Sequence, residues 1–283
     1  MPRDARILIL AQTNPCFSHR YLETVCTAGV TEDGEWIRLY PLRKRLLSED
    51  KKYHKYQWVE CKIDPTPQNH DCRPESHKVD QGSIIPRDLL PTTDNWAVRR
   101  RFLLSGNFPI YQTKEQILEG VQNNRFSLCF FQPTSVLTFF GELENSEFTD
   151  DEKGIIKQHC DQGILFCFDD EVSPSSLNFK KIPYSFHCKF KDRDGVEMNL
   201  SVLDWEMSTL YRNCKNTSDQ YRALEKTLYQ YNNFIRTKDI YFVLGTRNRE
   251  HNILRHRPES NINPWSIISV MYFPKLLQLE LGL

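Results

Sequence analysis

No stretch of the 283 residues reaches the roughly 18 consecutive apolar residues that a membrane-crossing helix needs. The opening MPRDARILILAQ holds an apolar run too short for a signal peptide. A soluble cytoplasmic chain with no membrane partner is the expectation. An excess of one charge is also missing, since Lys+Arg and Asp+Glu both number 37. A protein that grips duplex backbone through bulk charge is thereby excluded, and any nucleic-acid role must rest on a local patch. The nine cysteines include no CxxC pair, and runs such as LCFF and ILFCF treat the residue as a small buried hydrophobe. Reduced thiols are expected rather than a disulfide framework. GxSxG, P-loop and GxGxxG patterns are absent. The sequence therefore offers no assembled catalytic site and no cofactor signature, which leaves enzymatic activity open.

What is present reads first as β structure: ARILILAQ, ETVCTAGV, WIRLYP and QWVECKI, with Asp33-Gly34 marking a hairpin turn. Residues 64–93 carry five prolines and no clear period, which predicts a long irregular connection of the kind that is often functional. Asp94 can cap a helix over DNWAVRRRFLL, while Thr113 with Gln116, and Thr149 with Glu152, fit capping boxes. SLCFF, SVLTFFGEL and ILFCF read as strands, and residues 169–181 as the linker. Beyond them lie YSFHCKF, VEMNLSVL, DIYFVLG and SIISVMYF as strands. Two helices carry Met207, Leu210, Tyr211 and Cys214, then Tyr221, Leu224, Leu228, Tyr231 and Ile235, at helical spacing. An irregular basic loop follows DIYFVLG. The class is α+β: residues 1–150 form a β-rich domain with a helical insertion, and 151–283 a second α+β domain with two amphipathic helices on an antiparallel sheet.

Within GEWIRLYPL, a strand places Ile37 and Leu39 on one face and Trp36, Arg38 and Tyr40 on the other. The second face is either a ligand surface or the contact for another layer. As a surface it suits single strands, with aromatics for stacking and arginine for phosphate. As packing, it needs a buried partner for Arg38, for which Glu75 or Glu206 could serve. Arg73 precedes a proline, which favours an extended backbone and an outward guanidinium. Arg247, Arg249, Arg255 and Arg257 crowd a segment with little acid, and Arg43-Lys44-Arg45, Arg99-Arg100-Arg101 and Lys189/Lys191/Arg193 form further basic groups. Two acidic sets invite a metal-dependent nuclease with Mg2+: Glu60-x-Lys62 on a strand, and Asp204 with Glu206. Asp204 equally fits an N-cap and Glu206 the first helical turn. HDCRPESH brings His70, Asp71, Cys72, Glu75 and His77 together without a second ligand cluster, so no metal site is expected.

The stretch ETVCTAGVTEDGEWIRLYPL resembles the opening of the dual-OB-containing domain family through Cys26, Ala28, Gly29, Gly34, Trp36, Ile37 and Arg38. The chain is similar over nearly its whole length to an uncharacterised bacterial group with a WIRLYP signature. That likeness rests on Arg73 through Ser76, Asp204 through Glu206, and Phe273 through Lys275. The resemblance implies an OB-like antiparallel β-barrel at the N-terminus in a setting of DNA modification or antiviral immunity. The function expected is a noncatalytic module recognising single-stranded DNA or RNA, or a nucleotide, as an accessory subunit. A nuclease and a protein–protein adaptor subunit of a defence complex are the alternatives.

Overall fold

A computed structural model describes residues 2–64, 71–105, 108–145, 147–161 and 181–275. The expected ILFCF strand, nearly all of the expected linker and His70 lie outside the described residues. One sheet is built by β1 (Arg3–Gln12), β2 (Cys16–Ser18), β3 (Leu22–Val30), β4 (Trp36–Leu42), β5 (Gln57–Ile63), β6 (Ser76–His77) and β7 (Val79–Leu89). Its order is β6-β4-β3-β1-β5-β7, with β2 on β3. The expected hairpin is β3–β4, antiparallel from Val30 opposite Trp36. Gly34 turns it at φ 89°, a region that glycine enters without a Cβ penalty.

Strand β1 shows how the layers stack. Ile7 through Ala11 are all fully buried, although alternation sends neighbouring side chains to opposite faces. Ile7 and Ile9 join Ile37, Leu39 and Val59 inside the curl of the first sheet. Leu8 and Leu10 face the other way and meet Phe130, Val243 and Ile268 from the second sheet. Both faces of β1 are therefore core. Among the described residues the sheet stays open, with β6 and β7 as edges. It curls until Gln81 of β7 accepts a hydrogen bond from the Arg43 N–H, just past β4, at 3.0 Å.

The second sheet contains β8 (Ile110–Tyr111), β9 (Leu128–Phe131), β10 (Ser135–Leu143), β11 (Tyr184–Lys191), β12 (Glu197–Val202), β13 (Lys238–Thr246) and β14 (Trp265–Pro274). Its order is β10-β11-β12-β14-β13-β9-β8. Strands β9 and β10 fall before residue 150 but pair here, so the sheets divide between Leu89 and Ile110. Pairing with β13 and β11, far along the chain, decides this.

Six helices complete the described fold: α1 (Thr93–Leu104), α2 (Lys114–Gln122), α3 (Asp150–Asp161), α4 (Trp205–Lys215), α5 (Gln220–Thr237) and α6 (Asn248–His256). The capping boxes at Thr113 and Thr149 form as expected. Helices α4 and α5 bury Met207, Tyr211, Leu224 and Tyr231 on the second sheet, while Tyr221 stays exposed one turn before the buried stripe. Three local expectations are corrected. Residues 79–89, inside the expected irregular connection, form the 11-residue strand β7 because they pair antiparallel with β5. Asp94 does not cap α1; Asp94, Asn95 and Trp96 instead take φ of 51°, 52° and 65°, a left-handed turn ahead of the helix proper. The basic segment after β13 is helix α6, because burial of His251 and Leu254 gives it an inner face. The protein is mixed α+β, and no helix among the described residues is long and apolar enough to cross a membrane.

Candidate functional site

The face of β4 that carries Trp36, Arg38 and Tyr40 is packed against a second layer. Trp36 lies on Phe130 of β9 with ring centres 4.8 Å apart. Arg38 is only 1% exposed. Its Nη2 donates to the Ser127 carbonyl at 2.9 Å and hydroxyl at 3.0 Å, and its Nη1 to the Cys26 Sγ at 3.0 Å. Ser127 in turn donates from its backbone N–H to Glu75 Oε1 at 2.7 Å and from its hydroxyl to Glu75 Oε2 at 2.5 Å. Glu75 thus serves Arg38 through an intervening serine, and Glu206 is engaged elsewhere. Burial, reinforced by the nearby Arg73 cation, lowers the Arg38 pKa.

Arg73 is turned inward as well, contrary to expectation. It clamps Asp71 with Nε at 2.8 Å and Nη2 at 2.6 Å, and its Nη1 reaches the Thr246 carbonyl of β13 at 2.9 Å. Its guanidinium lies 5.6 Å from the Tyr40 ring centre. His251 of α6 bridges Thr246 Oγ1 and Asn124 Oδ1, both at 3.0 Å. Burial, with Arg38 and Arg73 adding to it, pulls its pKa down to about 4. Two arginines, two carboxylates and a neutral imidazole therefore staple the sheets together. As placed, Arg38 and Arg73 are closed to a polyanion, and an exposed recognition stripe on β4 is corrected to an internal seam.

A cleft of about 260 Å³ opens at that seam, lined by Gln12, Lys44, His54, Lys55, Tyr56, Leu89, Trp96, Arg99, Trp205, Glu206 and Tyr272. Both sheets contribute. The Arg99 guanidinium lies 4.2 Å from the Tyr56 ring centre and 5.3 Å from that of Trp96, while its Nε donates to the Leu90 carbonyl at 2.9 Å. Lys44 Nζ sits 4.8 Å from the Trp205 ring centre and donates to Gln12 Oε1. Arg45 and Arg212 flank the same indole at 6.0 and 5.8 Å. Burial pulls the Lys44 ammonium down to about 8, with Glu206 opposing. Beneath Lys44, the Gln12 side chain is buried and its Nε2 has no hydrogen-bond partner.

Two of the aromatic residues lining this cleft are backbone outliers. Tyr56 and Trp96 both have φ of 65°, a left-handed conformation that costs a bulky L residue about 1–3 kcal/mol. Tyr56 is held there by its N–H to the Ile9 carbonyl at 2.7 Å and by the Leu90 N–H to its own carbonyl at 2.8 Å. The framework thus holds the Tyr56 backbone in this conformation.

Lys55 spends its charge internally. Its Nζ donates to Glu206 Oε2 at 2.8 Å and to the Val270 carbonyl at 2.9 Å. Burial opposes the ammonium, but Glu206, Tyr56 and Asp204 outweigh it and hold the pKa above the ordinary lysine value. Asp204 is the N-cap of α4, accepting from the Glu206 N–H on Oδ1 at 2.8 Å and from the Val270 N–H on Oδ2 at 2.7 Å. Burial pushes its carboxyl up, with Lys55 opposing. Asp204 and Glu206 are thus a cap and an ion-pair partner.

The remaining expected residues disperse. Glu60 is held by Arg87, whose Nε and Nη2 donate to Oε2 at 2.9 and 2.6 Å, and Lys62 points outward. Cys72 contacts Asn248, and His77 Nδ1 lies 2.8 Å from the Asp64 carbonyl oxygen. Among the described residues no three His, Cys, Asp or Glu side chains converge as metal ligands. Arg247 precedes α6 and donates to the Asn263 carbonyl at 2.9 Å, whereas Arg249, Arg255 and Arg257 are exposed. Sequence reasoning passed over Gln12, Lys55, Tyr56, Trp96 and Tyr272. The interleaving of cations and aromatics in KKYHKYQW was the available signal.

The fold and this cleft define a two-sheet α+β protein with an aromatic, cationic site shared between its halves. Residues 111–282 match the family Domain of unknown function (DUF8757), to which the chain belongs, and residues 3–105 match Domain of unknown function (DUF8758). No curated protein matches the sequence.

Proposed function

We propose that the protein is a noncatalytic recognition module for single-stranded nucleic acid or nucleotides, and that its binding surface is the seam cleft rather than β4. The observation that carries the reading is the joint placement of Trp96, Trp205 and Tyr56 with Lys44 and Arg99 around one opening. Unpaired bases stack on aromatic faces and phosphates are neutralised by cations, whereas a duplex presents its bases already stacked. The curl of the first sheet supports an OB-like ancestry, a fold that uses such surfaces. The resemblance to the WIRLYP group supports a place as an accessory subunit in bacterial antiviral defence or DNA modification. Fluorescence anisotropy with labelled single-stranded DNA and RNA tests the reading. Affinity should fall with log salt at a slope of about −0.7 for each phosphate neutralised, and weaken on Lys44→Gln. Salt-independent or absent binding overturns it.

The adaptor reading has an observation of its own. Leu143, Tyr221 and Tyr229 are 77%, 64% and 71% exposed on β10 and α5, elements that pack together. A fixed partner retained by the wild-type protein and lost on Tyr229→Ala would favour it.

A further inference from the structure

We infer that the seam cleft accepts a single nucleotide unit, one base with its own phosphate, rather than a length of strand. The inference rests on the reading above and narrows it to a ligand class. Size is the first argument. At about 260 Å³ the cleft lies just below the roughly 300–1,000 Å³ of most small-molecule sites, room for one stacked ring system and one phosphate.

The balance of charge gives the second argument. Lys55 is already matched by Glu206 at 2.8 Å, which removes it as a free cation. Lys44 and Arg99 have no carboxylate partner among the described ion pairs; they rest on the indole of Trp205 and the rings of Tyr56 and Trp96. Arg99 is only 8% exposed and meets the cleft as a lining residue, so Lys44 is the principal cation there and matches one phosphate group rather than a run of them. The third argument is the buried Gln12, whose Nε2 lies without a partner under Lys44. When Lys44 swings onto a phosphate, that amide is uncovered and gains a ligand acceptor. An unsatisfied buried donor is otherwise costly to keep. The Tyr56 backbone is held by its bonds to Ile9 and Leu90 before any ligand arrives, which lowers the ordering cost of binding.

Calorimetry on the full chain tests this, with adenosine, guanosine, cytidine and uridine 5′-monophosphates titrated singly and a mixed-sequence ten-nucleotide DNA alongside. At least one monophosphate should bind one per chain, with a dissociation constant within about tenfold of the decamer's. Lys44→Gln should weaken both by at least about tenfold, Lys44→Arg should restore most of the loss, and Arg255→Gln should leave both unchanged. Circular dichroism of each variant checks that it is folded. A decamer that binds while no monophosphate does, or monophosphate binding indifferent to Lys44→Gln, overturns the inference and leaves the proposed function standing. Loss of all binding, decamer included, overturns both.

Discussion

The side chains of Arg38 and Glu75 are joined by one residue, Ser127, which accepts from the arginine on its carbonyl and hydroxyl oxygens and donates to the carboxylate from its N–H and hydroxyl. Opposite charges on the first sheet and on the segment leading into β6 thereby meet on the loop that opens β9. The strand that looked like a ligand surface is a structural joint.

Arg38→Leu should destabilise the protein by about 1–3 kcal/mol, because the buried carbonyl and hydroxyl of Ser127 lose the donor that satisfies them. Urea unfolding followed by circular dichroism measures this. Nucleotide binding by the fraction that stays folded should be unchanged, and a selective loss of binding would return the site to β4.

His251 should make the protein acid-sensitive. Its folded pKa of about 4 lies below the unfolded value of about 6.5, so the unfolded chain binds the extra proton between those limits. Stability from this residue is complete above pH 6.5 and declines as pH falls toward 4, by about 3 kcal/mol in total. Thermal unfolding of wild type and His251→Gln across pH 4–7 should show a shallower acid limb in the variant.

Lys44 should act in the opposite pH range. With a folded pKa of about 8 against an unfolded value near 10.4, the folded chain releases its proton first. Stability attributable to Lys44 therefore rises between about pH 8 and 10.4. Ligand affinity should fall over the start of that window as the cation is lost. A titration of monophosphate binding from pH 6.5 to 9.5 checks the binding half, and Lys44→Arg should flatten it.

Asp204→Asn should cost about 1–3 kcal/mol even though asparagine is a good helix cap. The two carboxylate oxygens accept from different backbone N–H groups, those of Glu206 and Val270. An amide offers one acceptor and turns a donor toward the other. Chemical denaturation of the variant reads this directly.

Gly29→Ala should be among the most damaging small substitutions, because a Cβ there would drive into the Leu8 carbonyl of the neighbouring strand. Reduced soluble yield and a lowered melting temperature are the expected signs. The glycine in the CTAG motif is explained by that close approach.

Local chemistry in the chain was sufficient to specify several of the elements, though not strand β7 or helix α6. The Asp33-Gly34 hairpin, the boxes at Thr113 and Thr149, the cap at Asp204 and the buried stripes of α4 and α5 depend on residues a few positions apart. The clearest case is RPES, which occurs twice and folds alike: the Ser76 N–H bonds to the Arg73 carbonyl at 3.2 Å, and the Ser260 N–H to that of Arg257 at 3.0 Å. Proline after the first residue presets that turn in both places. Tertiary structure alone decided the rest. Arg73 is 6% exposed and clamped between Asp71 and Thr246, while Arg257 stands in solvent at the end of α6. A turn is fixed by dihedral preferences within four residues, but burial is set by whichever distant surface packs over them. The same reason explains the cleft, whose aromatics and cations come from segments between Gln12 and Tyr272 and share no local pattern.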